Sequence, residues 1–231
     1  MAPAKKKAKK EAPALVLHYW PARGRAEPIR LAMVLAGLEW TEKYVTDEIL
    51  AETKKKAGTA ESPFGQWPML SEGDMLLAQL QAILKHIGRA HGMYGSRNRM
   101  EDYLVDSFMI GADALRAKFS DMIWEHGNTP EAREKFEKNH LDLEAKTGRN
   151  GGAHLAYLEG YLERSETDWV AAGKKLTVAD IILFDLFDAI AKEFGMEKLA
   201  KLYPKCAAHH KTFSEIEEVA EYLKSDKRHK E

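Results

Sequence analysis

The chain has 231 residues, 45% of them hydrophobic and 31% charged, with a formal net charge of −1; that is enough for one large or two small globular cores, and it argues against a disordered or fibrous protein. No apolar run approaches the roughly 18 residues a membrane span needs, and the Lys- and Ala-rich start, Met1 to Pro13, lacks the apolar segment of a secretory signal. Cys206 is the only cysteine, so an internal disulfide is excluded and a reducing, cytoplasmic setting is the simpler reading.

Residues 1–13 read as a basic, disordered tail. Lys5, Lys6, Lys7, Lys9 and Lys10 against Glu11 give it a charge of +4 and leave −5 on the body. Such an arm is solvated by default. As a functional element, Lys5–Lys10 would meet an anionic partner, RNA or an acidic protein, or act as a nuclear address.

Leu15 to Trp20 is a short apolar and aromatic run with strand character. Pro21 to Gly24 breaks it, and Ala26 to Gly37 then has helical spacing, with Gly37 suited to the C-terminal cap. Glu39 to Val45 predicts a second strand, parallel to the first. Thr46 to Pro63 is polar and Lys-rich, an irregular loop or a weak helix. Trp67–Leu70 and Met75–Leu77 flank Glu72-Gly73-Asp74, which has hairpin-turn chemistry. Gln79 to His91 is helical again, and the Gly- and polar-rich segment after it reads as a linker. Helices are predicted over Met100–His126, Pro130–Lys146, Gly152–Ser165, Val178–Phe194 and Phe213–Lys224, with Thr129-Pro130 a start signal. Thr177-Val178-Ala179-Asp180 is a capping box with Asp in place of Glu. The fold class is α+β, mostly α: a thioredoxin-like domain over 14–92 with a four-stranded mixed sheet, a linker over 93–98, and an all-helical bundle over 99–231.

Four fragments together resemble the cytosolic glutathione transferases, most nearly the sigma and alpha types. They are Leu17-His18-Tyr19-Trp20 followed by Arg23-Gly24-Arg25-Ala26-Glu27-Pro28-Ile29-Arg30; Phe64-Gly65-Gln66-Trp67-Pro68-Met69-Leu70; Gln79-Leu80-Gln81-Ala82-Ile83; and Gly173 to Asp180. They stand in order at family spacings over nearly the whole chain.

The resemblance implies a detoxifying transferase that makes the thiol of glutathione a thiolate, the nucleophilic form. It puts the Tyr19 hydroxyl on the sulfur, where bonding to the charged form lowers the thiol pKa, and Arg25 nearby as a second stabiliser. Trp20 would line the pocket of a small apolar electrophile. Trp67, before the family's cis-proline position Pro68, would pair through its main chain with the cysteinyl backbone of glutathione, and Gln66 and Gln79 would hold the γ-glutamyl end. Lys56, with Lys54 and Lys55 beside it, lies where the family has a cation for the glycyl carboxylate. Asp113, or Asp106 in another register, would reach across a homodimer interface.

Leu80 departs from the pattern, because the family has Ser or Thr there. The helix start keeps its N–H groups and positive dipole end for a carboxylate but loses a hydroxyl, worth about 1.5–3 kcal/mol against a charged group. Leu80 and the basic arm together favour an alternative, a non-catalytic structural or scaffold protein of the same fold, such as the lens crystallins related to the sigma type. No histidine or cysteine spacing suggests a metal, and Cys206 reads as a buried structural residue.

Overall fold

The structure, a computed structural model, describes residues 14–95, 98–171 and 175–230. The predicted basic tail, with Lys5–Lys10, lies outside the described residues, as do Gly173 and Lys174. By packing the chain divides into two compact units, one of residues up to Pro21 with Glu39–Gln79, the other of Ala22–Leu38 with the residues from Leu80 onward.

The first unit is a four-stranded mixed sheet with one helix. Its strands are β1 (Leu15–Tyr19), β2 (Trp40–Tyr44), β3 (Met69–Glu72) and β4 (Met75–Ala78), in the order β2-β1-β3-β4. β1 runs parallel to β2, with Tyr19 opposite Tyr44, and antiparallel to β3, with His18 opposite Met69. β3 and β4 form a hairpin whose tight turn uses Gly73 at φ 57°, a left-handed value that glycine adopts freely. The polar stretch after β2 resolves as a helix, α2 (Asp47–Lys55), started by the Thr46 hydroxyl accepting the Ile49 N–H.

The second unit is all helical: α1 (Glu27–Leu35), α3 (Leu80–Ala90), α4 (Arg99–Ser120), α5 (Pro130–His140), α6 (Leu155–Glu163), α7 (Val178–Phe194), α8 (Met196–Leu202), α9 (Pro204–Ser214) and α10 (Glu217–Lys224). α7 is its centre and touches α1, α3, α4, α8 and α9. Ile181, Ile182, Leu183, Phe184, Leu186, Phe187 and Ile190 are all buried, the all-round apolar surface of an interior helix. Its start is the predicted capping box: the Thr177 N–H and Oγ1 donate to Asp180 Oδ2 at 2.7 and 2.9 Å. Asp180 Oδ1 accepts the Val170 N–H at 2.8 Å and lies 3.1 Å from His209 Nε2.

Four helix boundaries differ from the spacing-based expectation. α4 stops at Ser120, and a π-helical turn follows over Asp121–Glu125 with the His126 N–H on the Asp121 carbonyl. α5 ends at His140 rather than Lys146, because the Asp142 side chain accepts the Glu144 N–H and opens a separate 3-10 turn. α6 begins only at Leu155, after Gly151 and Gly152 at positive φ, with the His154 ring capping Ala156. The single helix expected over Phe213–Lys224 is two, broken at Glu215-Ile216, and the preceding α8 and α9 carry no strong periodicity in the sequence.

Candidate functional site

In the first unit, β1 delivers Tyr19 at its end, half-buried, with its carbonyl accepting the Val45 N–H at 3.0 Å and its ring edge-on to that of Trp20 at 5.2 Å. Trp20 is 38% exposed. The loop just before β3 carries Gln66, exposed, Trp67, half-buried, and Pro68, buried; the Trp67–Pro68 bond is cis, as the resemblance implies. Gly65 precedes them at φ 61°, and a Cβ there would meet the Ala57 Cβ at 2.9 Å, so glycine alone lets this loop close on the end of α2.

Trp67 is seated from below. The His18 ring stacks on it at 5.9 Å, and His18 Nε2 is 2.8 Å from the Ser71 hydroxyl. Burial, then the charge of Lys43, lowers the His18 pKa and keeps the ring neutral at neutral pH. Trp67 Nε1 is buried without a hydrogen-bond partner. Gln79 directly follows β4, exposed and at φ 72°. A non-glycine residue in the left-handed region is uncommon and tends to mark a functional position.

Lys56 sits at the end of α2 with its ammonium 2.8 Å from Glu52 Oε1 and 2.6 Å from Glu61 Oε2. These two hydrogen-bonding carboxylates raise its pKa. An incoming carboxylate would compete with both of them, whereas Lys54 and Lys55 are exposed.

In the second unit, Arg25 is the middle residue of a 3-10 turn, Gly24–Ala26, that leads into α1. Its Nη2 donates to Asp113 Oδ1 of α4 at 2.7 Å, so two residues singled out separately from the sequence are ion-paired within one chain. Asp106 is engaged elsewhere, 3.0 Å from Lys85 Nζ and accepting the Tyr94 hydroxyl at 2.8 Å. Leu80 is the first residue of α3 and is 3% exposed. Its side chain is a core contact, not an exposed greasy lid on the helix start.

Two features are not legible in the sequence. Trp124, on the π-helical turn, is 81% exposed; such turns gather at functional sites, yet its spacing looks like ordinary helix. Glu27 and Arg30, in the first turn of α1, are fully buried charges. Among the described residues, no group of three or more His, Cys, Asp or Glu is placed to hold a metal ion, and no helix is long and apolar enough to cross a membrane.

Comparison with known proteins gives this geometry a family. The glutathione S-transferase N-terminal domain model matches residues 15–89, and the C-terminal domain model matches residues 113–226. A glutathione S-transferase of Plasmodium falciparum is 28% identical over 92% of this chain and 96% of its own length. Glutathione S-transferase P 1 of Xenopus laevis is 30% identical over 94% and 95%. The solved structure of the Onchocerca volvulus Pi-class glutathione S-transferase superposes with a TM-score of 0.74 at 25% identity, covering 91% of this chain and 92% of that one. The class printed for two of these relatives is P or Pi, where the sequence resemblance pointed to sigma or alpha. Matched in both domains and along nearly the full length of its relatives, the chain belongs to the glutathione S-transferase family and is an enzyme of that family, whose co-substrate is glutathione.

Proposed function

We propose that this enzyme stabilises the thiolate of glutathione through the Tyr19 hydroxyl and conjugates it to small apolar electrophiles. The observation that carries the reading is Gln79, a non-glycine residue held at φ 72° at the point where β4 hands over to α3. Such backbone persists where a site needs the adjacent N–H groups aimed at a ligand. The γ-glutamyl end of glutathione would take the Gln79 and Leu80 backbone and the Gln66 side chain. The cysteinyl part would pair with the main chain of Trp67 ahead of Pro68. Arg25 would add a cation for the thiolate and Trp20 a flat apolar face for the electrophile. Lys56 would serve the glycyl carboxylate only by leaving Glu52 or Glu61.

Residues 14–92 would form the glutathione-binding domain and 99–231 the helical one. A cytoplasmic homodimer is the state that suits this chemistry. Met100, Tyr103 and Ile110 lie on one face of α4 and are 62%, 61% and 58% exposed, an apolar stripe for a second copy to cover. Asp113 would then be shared between Arg25 and the partner's ligand.

The test is conjugation of glutathione to a generic aryl halide by the wild type and by Tyr19→Phe. Losing a hydrogen bond to a charged sulfur costs about 1.5–3 kcal/mol, so kcat/KM at neutral pH should fall roughly ten- to hundredfold. The acid limb of its pH profile should rise by about one to two units. Absence of turnover by the wild type at saturating glutathione would sink this reading and leave the scaffold alternative, which Leu80 favours.

A further inference from the structure

The helical unit holds a buried charged network that the site above does not use. Glu27, the first residue of α1, is fully buried. Its carboxylate accepts the Tyr222 hydroxyl at 3.0 Å, Arg228 Nε at 3.1 Å and Arg30 Nη1 at 3.5 Å. Arg228 also donates Nη2 to Asp188 Oδ2 at 2.9 Å. Asp188 takes Arg23 Nη2 at 2.5 Å, and its other oxygen is 3.0 Å from His210 Nε2. Asp185 pairs with Arg116 at 2.5 Å and lies 3.9 Å from Arg23.

This network grips one short stretch of chain from two sides. Arg30 donates Nη1 to the Ala22 carbonyl at 2.8 Å, with the Arg23 carbonyl at 3.4 Å, so it holds the strand of chain entering the 3-10 turn. The Ala26 and Glu27 N–H groups both return to the Arg23 carbonyl, at 3.1 and 3.0 Å, and close the turn. Glu27 therefore ends the turn, neutralises the arginine that holds its start, and is itself held by two residues of the C-terminal segment. Arg25 is the middle residue of that turn. Burial, and then the nearby Asp185, pushes the Glu27 pKa up, while Arg23, Arg228 and Arg30 pull it down. A buried carboxylate needs those partners, because an unpaired buried charge is strongly destabilising.

We propose that Tyr222 and Arg228 are positioning residues for the transferase reaction: by holding Glu27 they fix the turn that carries Arg25, and with it the placement of the Arg25 guanidinium for the thiolate. The inference rests on the reading that Arg25 serves the glutathione sulfur. Attraction between two charges falls with distance, so a loosened turn should weaken the thiolate before it weakens the binding of the tripeptide, which is held by other residues.

The experiment is the pH profile of kcat/KM, with glutathione affinity by calorimetry and stability by urea unfolding, for wild type, Tyr222→Phe, Arg228→Gln and Arg228→Lys. The acid limb should rise by about half a unit in Arg228→Gln, a roughly threefold loss of rate on the limb. Affinity should stay within about twofold of wild type, Arg228→Lys should recover most of the shift, and Tyr222→Phe should move the limb less in the same direction. Should Arg228→Gln fail to fold, Tyr222→Phe decides, since it removes only one hydroxyl. A lower stability with an unmoved limb would overturn the inference and make both residues structural. A wild type with no limb below the acidity of free glutathione overturns the reading of the site itself and takes the inference with it, whereas a wild-type limb unchanged in every variant overturns the inference alone.

Discussion

Replacing Leu80 by Ser sets two effects of known size against each other. Leu80 opens α3 and is 3% exposed, so the substitution removes a core side chain. Large-to-small changes at such positions cost about 2–5 kcal/mol, and a serine hydroxyl adds a polar group that must find a partner. At the same position the hydroxyl would stand beside the first N–H groups of α3, where a γ-glutamyl carboxylate gains from the helix dipole. A hydrogen bond to a charged acceptor contributes about 1.5–3 kcal/mol, or roughly one to two decades in Kd. The expected outcome is a less stable apoprotein that binds glutathione about ten to a hundred times more tightly. At a hundred times Kd the ligand should return about 2.7 kcal/mol of the lost stability. Calorimetric titration with glutathione, paired with urea unfolding with and without ligand, measures both halves, and Leu80→Ala separates lost volume from gained hydroxyl. A folded Leu80→Ser protein whose Kd stays within about twofold of Leu80→Ala would refute the argument that a missing hydroxyl weakens this site. Glutathione binding by Leu80→Ser but not by wild type would move the balance to the scaffold alternative.

Three further outcomes concern stability. Thr177→Ala removes the 2.9 Å bond from Oγ1 to Asp180 but leaves the Thr177 N–H in place, so urea unfolding should show a loss of about 1 kcal/mol; Asp180→Ala, which strips partners from Thr177, Val170 and His209 together, should lose clearly more. Gly88→Ala places a Cβ 2.8 Å from Val178 Cγ1 and 3.1 Å from the Met93 carbonyl oxygen, and this overpacking between α3 and the start of α7 should lower stability by about 1–3 kcal/mol. His140 and His154, 8% and 1% exposed, both have pKa values lowered by burial, against the opposing pull of backbone carbonyls. The folded state then binds fewer protons than the unfolded chain, so the stabilisation is present above the ordinary histidine value of 6.5 and is lost as pH falls through it. Urea midpoints compared on either side of that pH should drop on the acid side, and an equal or higher acid midpoint would contradict the assignment of both rings as buried and neutral.

The parts of this protein that the sequence makes legible are those whose cause is local. An apolar and aromatic run leads to β1, helical spacing to α1, a start signal and apolar content to α7, and turn chemistry to the β3–β4 hairpin. Tyr19, the Gln66-Trp67-Pro68 run and Gln79 are recognisable because a few adjacent residues define each. Some of the failures are local signals passed over, such as Gly151-Gly152 ahead of α6, and the others have distant causes. α5 is predicted too long because the Asp142 cap on Glu144 is hidden in a run of helix-compatible residues, and because nothing in Pro130–Lys146 reveals that the Tyr203 hydroxyl will take the Leu141 carbonyl, or that the His140 ring will lie 2.5 Å from the Ala153 carbonyl. Lys56 looks like a free cation among three lysines until loop closure brings Glu61 to it. Leu80 is recognisable as a departure, but whether its side chain covers the helix start or enters the core depends on packing.

The buried network carries the same lesson into the chemistry. Glu27 and Arg30 stand in a helix whose other buried residues, Pro28, Ile29, Leu31, Ala32 and Met33, mark it as a simple apolar face. Arg23 and Arg30, two of the cations that make Glu27 tenable, are near it in sequence, but Arg228 stands 201 residues further on and the hydroxyl donor Tyr222 is 195 residues away. A motif can point to the arginine proposed for the sulfur, because motif and residue are adjacent. It cannot identify what keeps that arginine in place, because burying a carboxylate obliges the fold to supply cations from wherever the chain returns. Substitutions near the C-terminus, in residues no motif covers, are therefore expected to alter the acidity of the bound thiol, while substitutions of exposed residues much closer in sequence to Tyr19 leave it unchanged.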